Sequence, residues 1–387
     1  MGYYSLTAKL LLVPVLLTSL APPVLVDANE VKLLEHFDLR EKALNVKPGD
    51  VVKVIAPARK SPDSALPLIK NYVESLGLVA NISENIYSDE DAFYANTDEF
   101  RANDLISAVL DDDVKIIWCV RGGTGSIRLI PYLEAKLPTK VNHKILIGYS
   151  DITVLHLYFE YKYGWQTIQG PMLEAIATQS YSPTSESVLT LEALIFEQQE
   201  KVCWNATKLN DVTANNIESE IVGGNAALVE ASVGTDWEVN SKGRILFFED
   251  VGEAAYSIER SLDHMKQARI FDGADAVIFG DFTQADNTTL MNIVFDRFAE
   301  SVSFPVFRVT GIGHGSVNIP LPFLTHTEMR NVEGLDYELC VDNIQNYSRE
   351  YSNSTDNNNN SNSISGHQFS QFNFFAVIII GLYHSLY

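Results

Sequence analysis

The stretch Ile145-Leu-Ile-Gly-Tyr-Ser150-Asp-Ile-Thr-Val154 is the part of the chain from which its fold can be worked out. The first three residues form a short, wholly apolar run, which is typical of a buried parallel strand. From Ile152 the apolar residues recur at a helical spacing that ends at Gly164. The segment Gly148-Tyr-Ser150 must therefore make a sharp turn from a strand into a helix.

Such a turn lifts the Ser150 hydroxyl off the strand end and aims it at the N-terminus of the next helix, as in a nucleophile elbow. Free backbone N–H groups and the helix dipole favour a developing oxyanion at that place. The usual elbow is Gly-x-Ser-x-Gly, whereas Ile152 occupies the second glycine position here. The alternative is a buried strand followed by a serine that only caps a helix.

Strands and helices alternate before this stretch. The predicted elements are strands at 51–55, 78–82 and 114–120, with helices at 66–76 and 101–110. This alternation predicts a doubly wound α/β domain, which we place at residues 29–185. Sites in such domains lie at the carboxyl ends of the strands.

A glycine-rich segment, Arg121-Gly-Gly-Thr-Gly125, directly follows the strand at 114–120. Glycines there let backbone N–H groups approach a ligand and form a nest for an anion. A phosphate loop is the rival interpretation, but the Gly-Lys-Ser/Thr ending of such loops is absent. Because this strand precedes the elbow strand, we expect the loop beside Ser150, as the source of a second oxyanion donor.

The pattern becomes richer in strands after about residue 200. We place a second, smaller domain of the α+β class at residues 200–342. Within it, Ile221-Val-Gly-Gly-Asn225 predicts a tight turn. The run Arg244-Ile-Leu-Phe-Phe248 predicts a buried strand that ends in two acidic residues.

A serine nucleophile needs a base, and a carboxylate to hold that base. Among the eight histidines His314 stands out, because it lies between glycines at a predicted strand end, and His326 is a more distant rival. Glu249 ends a buried strand, where a carboxylate is costly unless it has a partner. Ser, Glu, His is an allowed chain order for this chemistry. Asp250 and Asp151 are the neighbours that would hold the imidazole instead.

Nine short segments keep a common order between about residues 46 and 320: Pro48-Gly-Asp50, Ile55-Ala-Pro57, Arg121-Gly-Gly-Thr-Gly125, Gly148-Tyr-Ser-Asp-Ile-Thr153, Gly170-Pro171, Gly223-Gly-Asn225, Gly234-Thr235, Phe248-Glu-Asp-Val-Gly-Glu253 and Gly313-His-Gly315. In this order they resemble the LD-carboxypeptidase family of serine peptidases, which includes the microcin C self-immunity peptidases. Leu321-Pro-Phe323 departs from the family's usual Leu-Pro-Leu-Gly.

The resemblance implies a triad of Ser150, Glu249 and His314. It implies oxyanion donors from the backbone of Asp151 and of the glycine loop, Gly122-Gly123, with Gly123 as the expected donor. It also implies an amidotransferase-like α/β domain that carries the serine, and a C-terminal domain that carries the other two residues. Members of the family are typically homodimers.

The resemblance further suggests a muropeptide substrate, with release of the terminal D-alanine from the L,D bond of a tetrapeptide stem. Such a substrate needs a cation for its terminal carboxylate, and Arg121 is the nearest candidate, although it is also placed to pair with an acidic neighbour. The alternatives are an immunity-type amidase of aminoacyl nucleotides and a catalytically inactive surface binding protein on the same fold.

Charge and cysteine content narrow the classes of function. The formal net charge of −22 argues against nucleic acid as a partner. Three cysteines are too few for a dense disulfide framework. One bridge, Cys203–Cys340, is possible, and Cys119 lies in an apolar run that indicates a core thiol. No Cys/His cluster appears, so we predict neither a metal nor a cofactor.

The two ends indicate secretion and a lipid anchor. Residues 1–28 predict a signal peptide, with a membrane anchor as the alternative. The polar segment 346–371 predicts a disordered glycosylated spacer, and the apolar tail 372–387 predicts a GPI-attachment signal, or else a transmembrane tail anchor. Sequons that fit an extracellular glycoprotein occur at Asn81, Asn205, Asn287, Asn346, Asn353 and Asn359.

Overall fold

The computed structural model describes residues 44–214, 216–334 and 336–345. The predicted signal peptide (1–28), spacer (346–371) and tail (372–387) lie outside the described residues, as do the last three sequons. Within the described ranges, no helix combines the length and the apolar character that crossing a membrane requires.

Strands and helices alternate through much of the described chain. The strands are β1 (Val51–Ile55), β2 (Val79–Ile82), β3 (Val114–Cys119), β4 (Ile145–Gly148), β5 (Thr167–Gln169), β6 (Lys201–Lys208), β7 (Ile217–Asn225), β8 (Arg244–Val251), β9 (Ala276–Thr283), β10 (Val306–Gly313), β11 (Leu321–Phe323), β12 (His326–Asn331) and β13 (Tyr337–Asp342). The α-helices are α1 (Ala65–Ser75), α2 (Asp98–Leu110), α3 (Ile130–Lys136), α4 (Thr153–Tyr163), α5 (Leu173–Ala177), α6 (Glu186–Ile195), α7 (Ala226–Ala231), α8 (Ala255–Gln267) and α9 (Thr288–Glu300).

The first sheet has six strands in the order β11-β5-β4-β3-β1-β2. The five strands β1 to β5 are mutually parallel, and β4 is buried along its whole length, as its apolar run predicts. The α/β fold class is therefore confirmed. The sequence did not predict the sixth strand: β11 comes from near the end of the described chain and pairs antiparallel with β5.

The second sheet closes into a barrel in the order β10-β6-β13-β12-β7-β8-β9. Strands β7 to β10 are parallel neighbours, connected through the helices α7, α8 and α9, while β6, β13 and β12 complete the barrel with antiparallel pairs. Cys203 of β6 faces Cys340 of β13, and the two form a disulfide. Cys119 is free and buried, as predicted.

The predicted tight turn at Ile221–Asn225 is wrong, because these residues form the end of β7. Its two glycines serve close packing. A methyl group added at Gly223 would lie 2.0 Å from the Phe247 carbonyl oxygen, and one at Gly224 would lie 2.5 Å from Thr153 Oγ1. Glycine inside a strand often marks such a close approach.

Helix α4 is where the barrel meets the first sheet. Residues Thr153 to Phe159 are all buried, since the helix contacts β7 and α7 of the barrel as well as β5. Thr153 Oγ1 also accepts a 3.0 Å hydrogen bond from the Asn225 backbone N–H at the end of β7. The barrel is thereby attached to the segment that directly follows Ser150.

Candidate active site

Ser150 occupies a strained turn between β4 and α4. Its φ is +65°, a left-handed conformation that a non-glycine residue seldom adopts. Strain of this kind is concentrated at functional sites and is characteristic of a nucleophile elbow. Ile152, which replaces the usual second glycine, folds back over Gly148: a methyl group added at Gly148 would lie 2.8 Å from Ile152 Cγ1. The elbow therefore forms without the second glycine.

The glycine loop lies beside this serine, as expected from the order of the strands. A methyl group added at Gly122 would lie 3.0 Å from Ser150 Cβ and 3.3 Å from its Oγ. Gly122 is thus in contact with the serine side chain. The neighbouring Gly123 is exposed and has a φ of +120°. The role of oxyanion donor that the family resemblance implies for the Gly123 N–H stays a prediction.

The anion nest at the end of this loop is filled by the chain itself. Asp151 is 4% exposed, and its Oδ2 accepts a 2.8 Å hydrogen bond from the Ser126 N–H. Burial raises the pKa of the Asp151 carboxyl group, while its hydrogen bonds with Ser126 and the charge of Arg101 oppose that rise. This contact argues against a phosphate loop and directs the Asp151 side chain to the glycine loop.

Glu249 and His314 meet at the ends of β8 and β10. The distance from His314 Nδ1 to Glu249 Oε2 is 2.6 Å, and the glutamate side chain is fully buried. The histidine side chain is 14% exposed. The sequence pattern, which predicts an exposed irregular loop here, implies a larger exposed fraction. Because Nδ1 bonds to the carboxylate, Nε2 is the ring nitrogen that remains for the chemistry.

The rival residues have other partners. Asp250 accepts hydrogen bonds from Asn225 Nδ2 at 3.0 Å and from the backbone N–H groups of Ala227 and Val251 at 3.1 and 2.7 Å. Burial raises the pKa of Asp250 to about 6.

The rival histidine, His326, lies on β12 and pairs with Asp342 at 3.2 Å. Glu249 is therefore the carboxylate that holds the His314 ring.

Two tyrosines that the sequence analysis did not single out support the His314 loop. The Tyr149 ring packs against the His314 ring with centroids 4.8 Å apart, and burial raises the Tyr149 pKa. The Tyr181 hydroxyl donates to the Gly315 carbonyl at 3.1 Å. Tyr149 directly precedes Ser150, so its ring contact brings the elbow next to the histidine loop. The only sequence feature that could have pointed to Tyr149 is its position directly before the serine.

Arg121 is paired, and a different arginine lies over the glycine loop. Arg121 Nε is 3.3 Å from Glu174 Oε2, so Glu174 is the acidic neighbour with which Arg121 pairs. The stem of Arg59 instead lies against Gly123: a methyl group added at Gly123 would lie 2.8 Å from Arg59 Cγ and Cδ. Arg59 is exposed, and its guanidinium forms no ion pair with another described residue. Sequence patterning gave no signal for this placement.

His156, on the helix that follows Ser150, supports the turn that carries the serine. This residue of α4 is 2% exposed, and its Nε2–H donates to the Gly148 carbonyl at 3.0 Å. Burial lowers the His156 pKa to about 4, so the ring is neutral in the folded protein at neutral pH. In the unfolded chain the same ring would titrate near its ordinary value of about 6.5.

We expect the His156→Gln variant to remove an acid sensitivity of the fold. Because the unfolded chain binds the proton more readily, stability is fully present above pH 6.5 and falls as the pH drops toward about 4. Between pH 7 and pH 4 the wild type should lose about 3 kcal/mol of unfolding free energy that the variant keeps. Denaturant unfolding at pH 7, 5.5 and 4 measures this difference, and parallel losses in both proteins would refute it.

Comparison with protein families places these features in a known group. Residues 52–170 match the model described as the LD-carboxypeptidase N-terminal domain, and residues 218–329 match the LD-carboxypeptidase C-terminal domain. A protein of Rickettsia conorii named putative carboxypeptidase is 34% identical over 293 residues, covering 75% of this chain and 90% of that protein. The probable murein peptide carboxypeptidase of Bacillus subtilis is 29% identical over 303 residues, covering 77% and 94%.

Solved structures share the fold. The muramoyltetrapeptide carboxypeptidase from Oxalobacter formigenes superimposes with a TM-score of 0.64 at 24% identity, covering 76% of this chain and 98% of that one. The microcin C7 self-immunity protein MccF gives a TM-score of 0.64 at 19% identity, covering 78% and 98%. At these identities the two structures show the common fold, and the sequence relatives carry the family assignment.

Proposed function

This chain belongs to the LD-carboxypeptidase family and is a serine-type peptidase, and from this premise we propose that it releases the terminal D-alanine of peptidoglycan-derived tetrapeptides. The bond cut is the L,D-amide next to the free carboxylate. The observation that carries the proposal is the buried Glu249–His314 contact of 2.6 Å, whose histidine packs beside the strained elbow of Ser150.

The proposed reaction follows from the roles of these three side chains. Ser150 Oγ attacks the scissile carbonyl carbon while His314 Nε2 takes the hydroxyl proton, and Glu249 stabilises the imidazolium that forms. The N–H groups of Asp151 and Gly123 receive the oxyanion. His314 then donates its proton to the leaving amine, so that D-alanine departs. Water, activated by the same histidine, hydrolyses the acyl-enzyme.

Arg59 is the cation that we propose for the substrate's terminal carboxylate. Its stem lies on the proposed oxyanion loop, and no other described residue neutralises its guanidinium in an ion pair. A guanidinium matches a carboxylate with two parallel hydrogen bonds. Arg121 is less available for this contact, because binding the substrate there would compete with Glu174.

Replacing Arg59 with alanine should therefore raise KM for the tetrapeptide by about 10–100-fold, the value of one charge-assisted hydrogen-bonded contact. Arg121→Ala is the matched control and should change KM by less, since that cation already has a partner. Steady-state kinetics on both variants makes the comparison. A larger effect at Arg121 than at Arg59 would return the assignment to Arg121.

The substrate class is tested by incubating the enzyme with L-Ala-D-Glu-mDAP-D-Ala and, separately, with an aminoacyl sulfamoyl adenosine. Release of D-alanine supports the proposal. Cleavage of the nucleotide substrate alone would assign an immunity-type amidase, the alternative activity that the family resemblance leaves open. Failure to cleave either substrate, together with no Ser150-dependent labelling by a fluorophosphonate, would favour a catalytically inactive binding protein.

Location and assembly are further proposals. An extracellular, glycosylated enzyme held by a GPI anchor is supported by the sequences of the two ends alone. The relatives named above are bacterial, which argues against a GPI anchor. Homodimer formation is supported only by the resemblance to a family whose members are typically homodimers.

A further inference from the structure

One peptide unit of the glycine loop lies between two buried side chains of opposite charge. Arg101 Nη1 donates to the Gly125 carbonyl at 3.1 Å, and the next N–H, that of Ser126, donates to Asp151 Oδ2 at 2.8 Å. Both groups belong to the same peptide bond. Since a trans peptide directs its C=O and N–H to opposite sides, the cation and the carboxylate hold this unit from its two edges.

The cation of this pair is itself fixed. Arg101 is 2% exposed, and it also donates to the Asn96 carbonyl at 3.1 Å and pairs with Asp98 Oδ1 at 2.5 Å. Its guanidinium lies 4.6 Å from the centroid of the Tyr94 ring. Helix α2 therefore presents a rigid positive group to the glycine loop, and the position of that group does not depend on solvent.

The carboxylate connects the loop to the nucleophile. Asp151 follows Ser150 directly, so its hydrogen bond to Ser126 fixes the distance between the loop and the elbow. The loop needs such a restraint, because two of its residues, Gly123 and Gly125, have φ values of +120° and glycine backbone is intrinsically mobile. Charge-assisted hydrogen bonds in a buried setting are the stronger ones.

We propose that Arg101 and Asp151 are positioning residues that orient the N–H of Gly123 toward the oxyanion formed at Ser150. The inference rests on the proposed function, because it assumes a tetrahedral oxyanion at that serine. Both side chains are buried, at 2% and 4% exposure, so the proposed role is indirect and needs no contact with the substrate. The two side chains act by holding the Gly125–Ser126 peptide, and through it the Gly122-Gly123 turn that contacts Ser150.

The test uses the rate at which a fluorophosphonate labels Ser150 in the full-length protein. In this step the Oγ–P bond forms, the P–F bond breaks, fluoride leaves, and the serine proton passes to His314. The oxyanion is a phosphoryl oxygen, so the labelling rate can be measured without the natural substrate. Asp151→Ala should be labelled about 10–100-fold more slowly, somewhat less than the roughly 10²–10³-fold loss on removing an oxyanion donor outright.

A conservative replacement and a matched control separate positioning from stability. Asp151→Asn keeps an oxygen acceptor for the Ser126 N–H and should recover most of the labelling rate. Asp104→Asn breaks another buried ion pair of the same sheet domain, Lys53–Asp104 at 2.7 Å, and should lower the melting temperature without slowing the labelling. With the tetrapeptide, Asp151→Ala should lower kcat and leave KM nearly unchanged.

The outcomes distinguish a failure of the proposed function from a failure of the positioning role alone. Absence of Ser150-dependent labelling in the wild type would overturn the proposed function itself. Normal labelling of the wild type, with the same rate in folded Asp151→Ala, would overturn only the positioning role. If Asp151→Ala does not fold, Arg101→Lys takes its place: it keeps the charge but loses the planar fork, and an unchanged labelling rate there would equally refute the inference.

Discussion

Replacing Ser150 with alanine should reduce turnover of the tetrapeptide by about 10⁵–10⁶-fold, the loss typical when a triad nucleophile is removed. The remaining activity would come from the oxyanion donors and from substrate binding. The fold should survive, because the side chain is only partly buried and makes no hydrogen bond with another described residue. D-alanine release and thermal unfolding of the same preparation measure the two effects.

The serine assignment has a control of the same chemistry. Ser257, on the barrel helix α8, loses only a hydrogen bond with Arg260 when it becomes alanine, so Ser257→Ala should retain full turnover. His314→Ala should fall to about the level of Ser150→Ala, since residues of a triad act as one unit. Near-normal turnover by a purified and folded Ser150→Ala protein would show that Ser150 is not the nucleophile.

The second large effect is expected at Glu249. Glu249→Gln should lower kcat by about 10³–10⁴-fold, because an amide in place of the carboxylate no longer stabilises the imidazolium and permits the wrong tautomer. The neighbouring Asp250→Asn is the matched comparison, with an expected loss below about 10-fold, since Asp250 bonds to Asn225 and to backbone. Steady-state kinetics with the tetrapeptide measures both variants.

The reverse order of effects at the two acidic neighbours would contradict the assignment of Glu249. Both residues lie near the end of the same buried strand, β8, and each change leaves the size of the side chain almost unaltered. If Asp250→Asn cost far more activity than Glu249→Gln, the carboxylate that serves His314 in solution would be Asp250. The 2.6 Å contact of Glu249 with the ring would then be catalytically unimportant.

Local patterns predicted the elements that position the serine. The strand at 51–55 and the end of the elbow helix at Gly164 appear where the sequence indicates them, since apolar runs and a left-handed glycine cap are local signals. The proximity of Glu249 and His314 is not a local property. Strand-end positions and the allowed Ser, Glu, His order made the two residues candidates, and the nine segments that resemble a family in a fixed order turned this into an expected pair.

Other features depend on contacts between segments distant in the chain, and so the sequence did not predict them. Gly223 and Gly224 read as a turn, although it is the neighbouring Phe247 carbonyl and Thr153 side chain that require glycine there. The pairing of Arg121 with Glu174 and the placement of Arg59 likewise depend on tertiary packing. The carboxylate of Asp151 fills the nest because the elbow and the glycine loop are adjacent strand ends.

The strand β11 has a consequence for biosynthesis. Until Leu321–Phe323 leave the ribosome, the outer edge of β5 has no partner, although β1 to β5 are already complete. At translation rates of about 5–20 residues per second, the roughly 150 intervening residues take about 8–30 s. During that interval the nascent chain exposes an unpaired sheet edge, which is a template for association with other chains. We therefore expect a fragment that stops before residue 321 to aggregate, and the first sheet to gain its last strand only after strands β6 to β10 of the barrel have been synthesised.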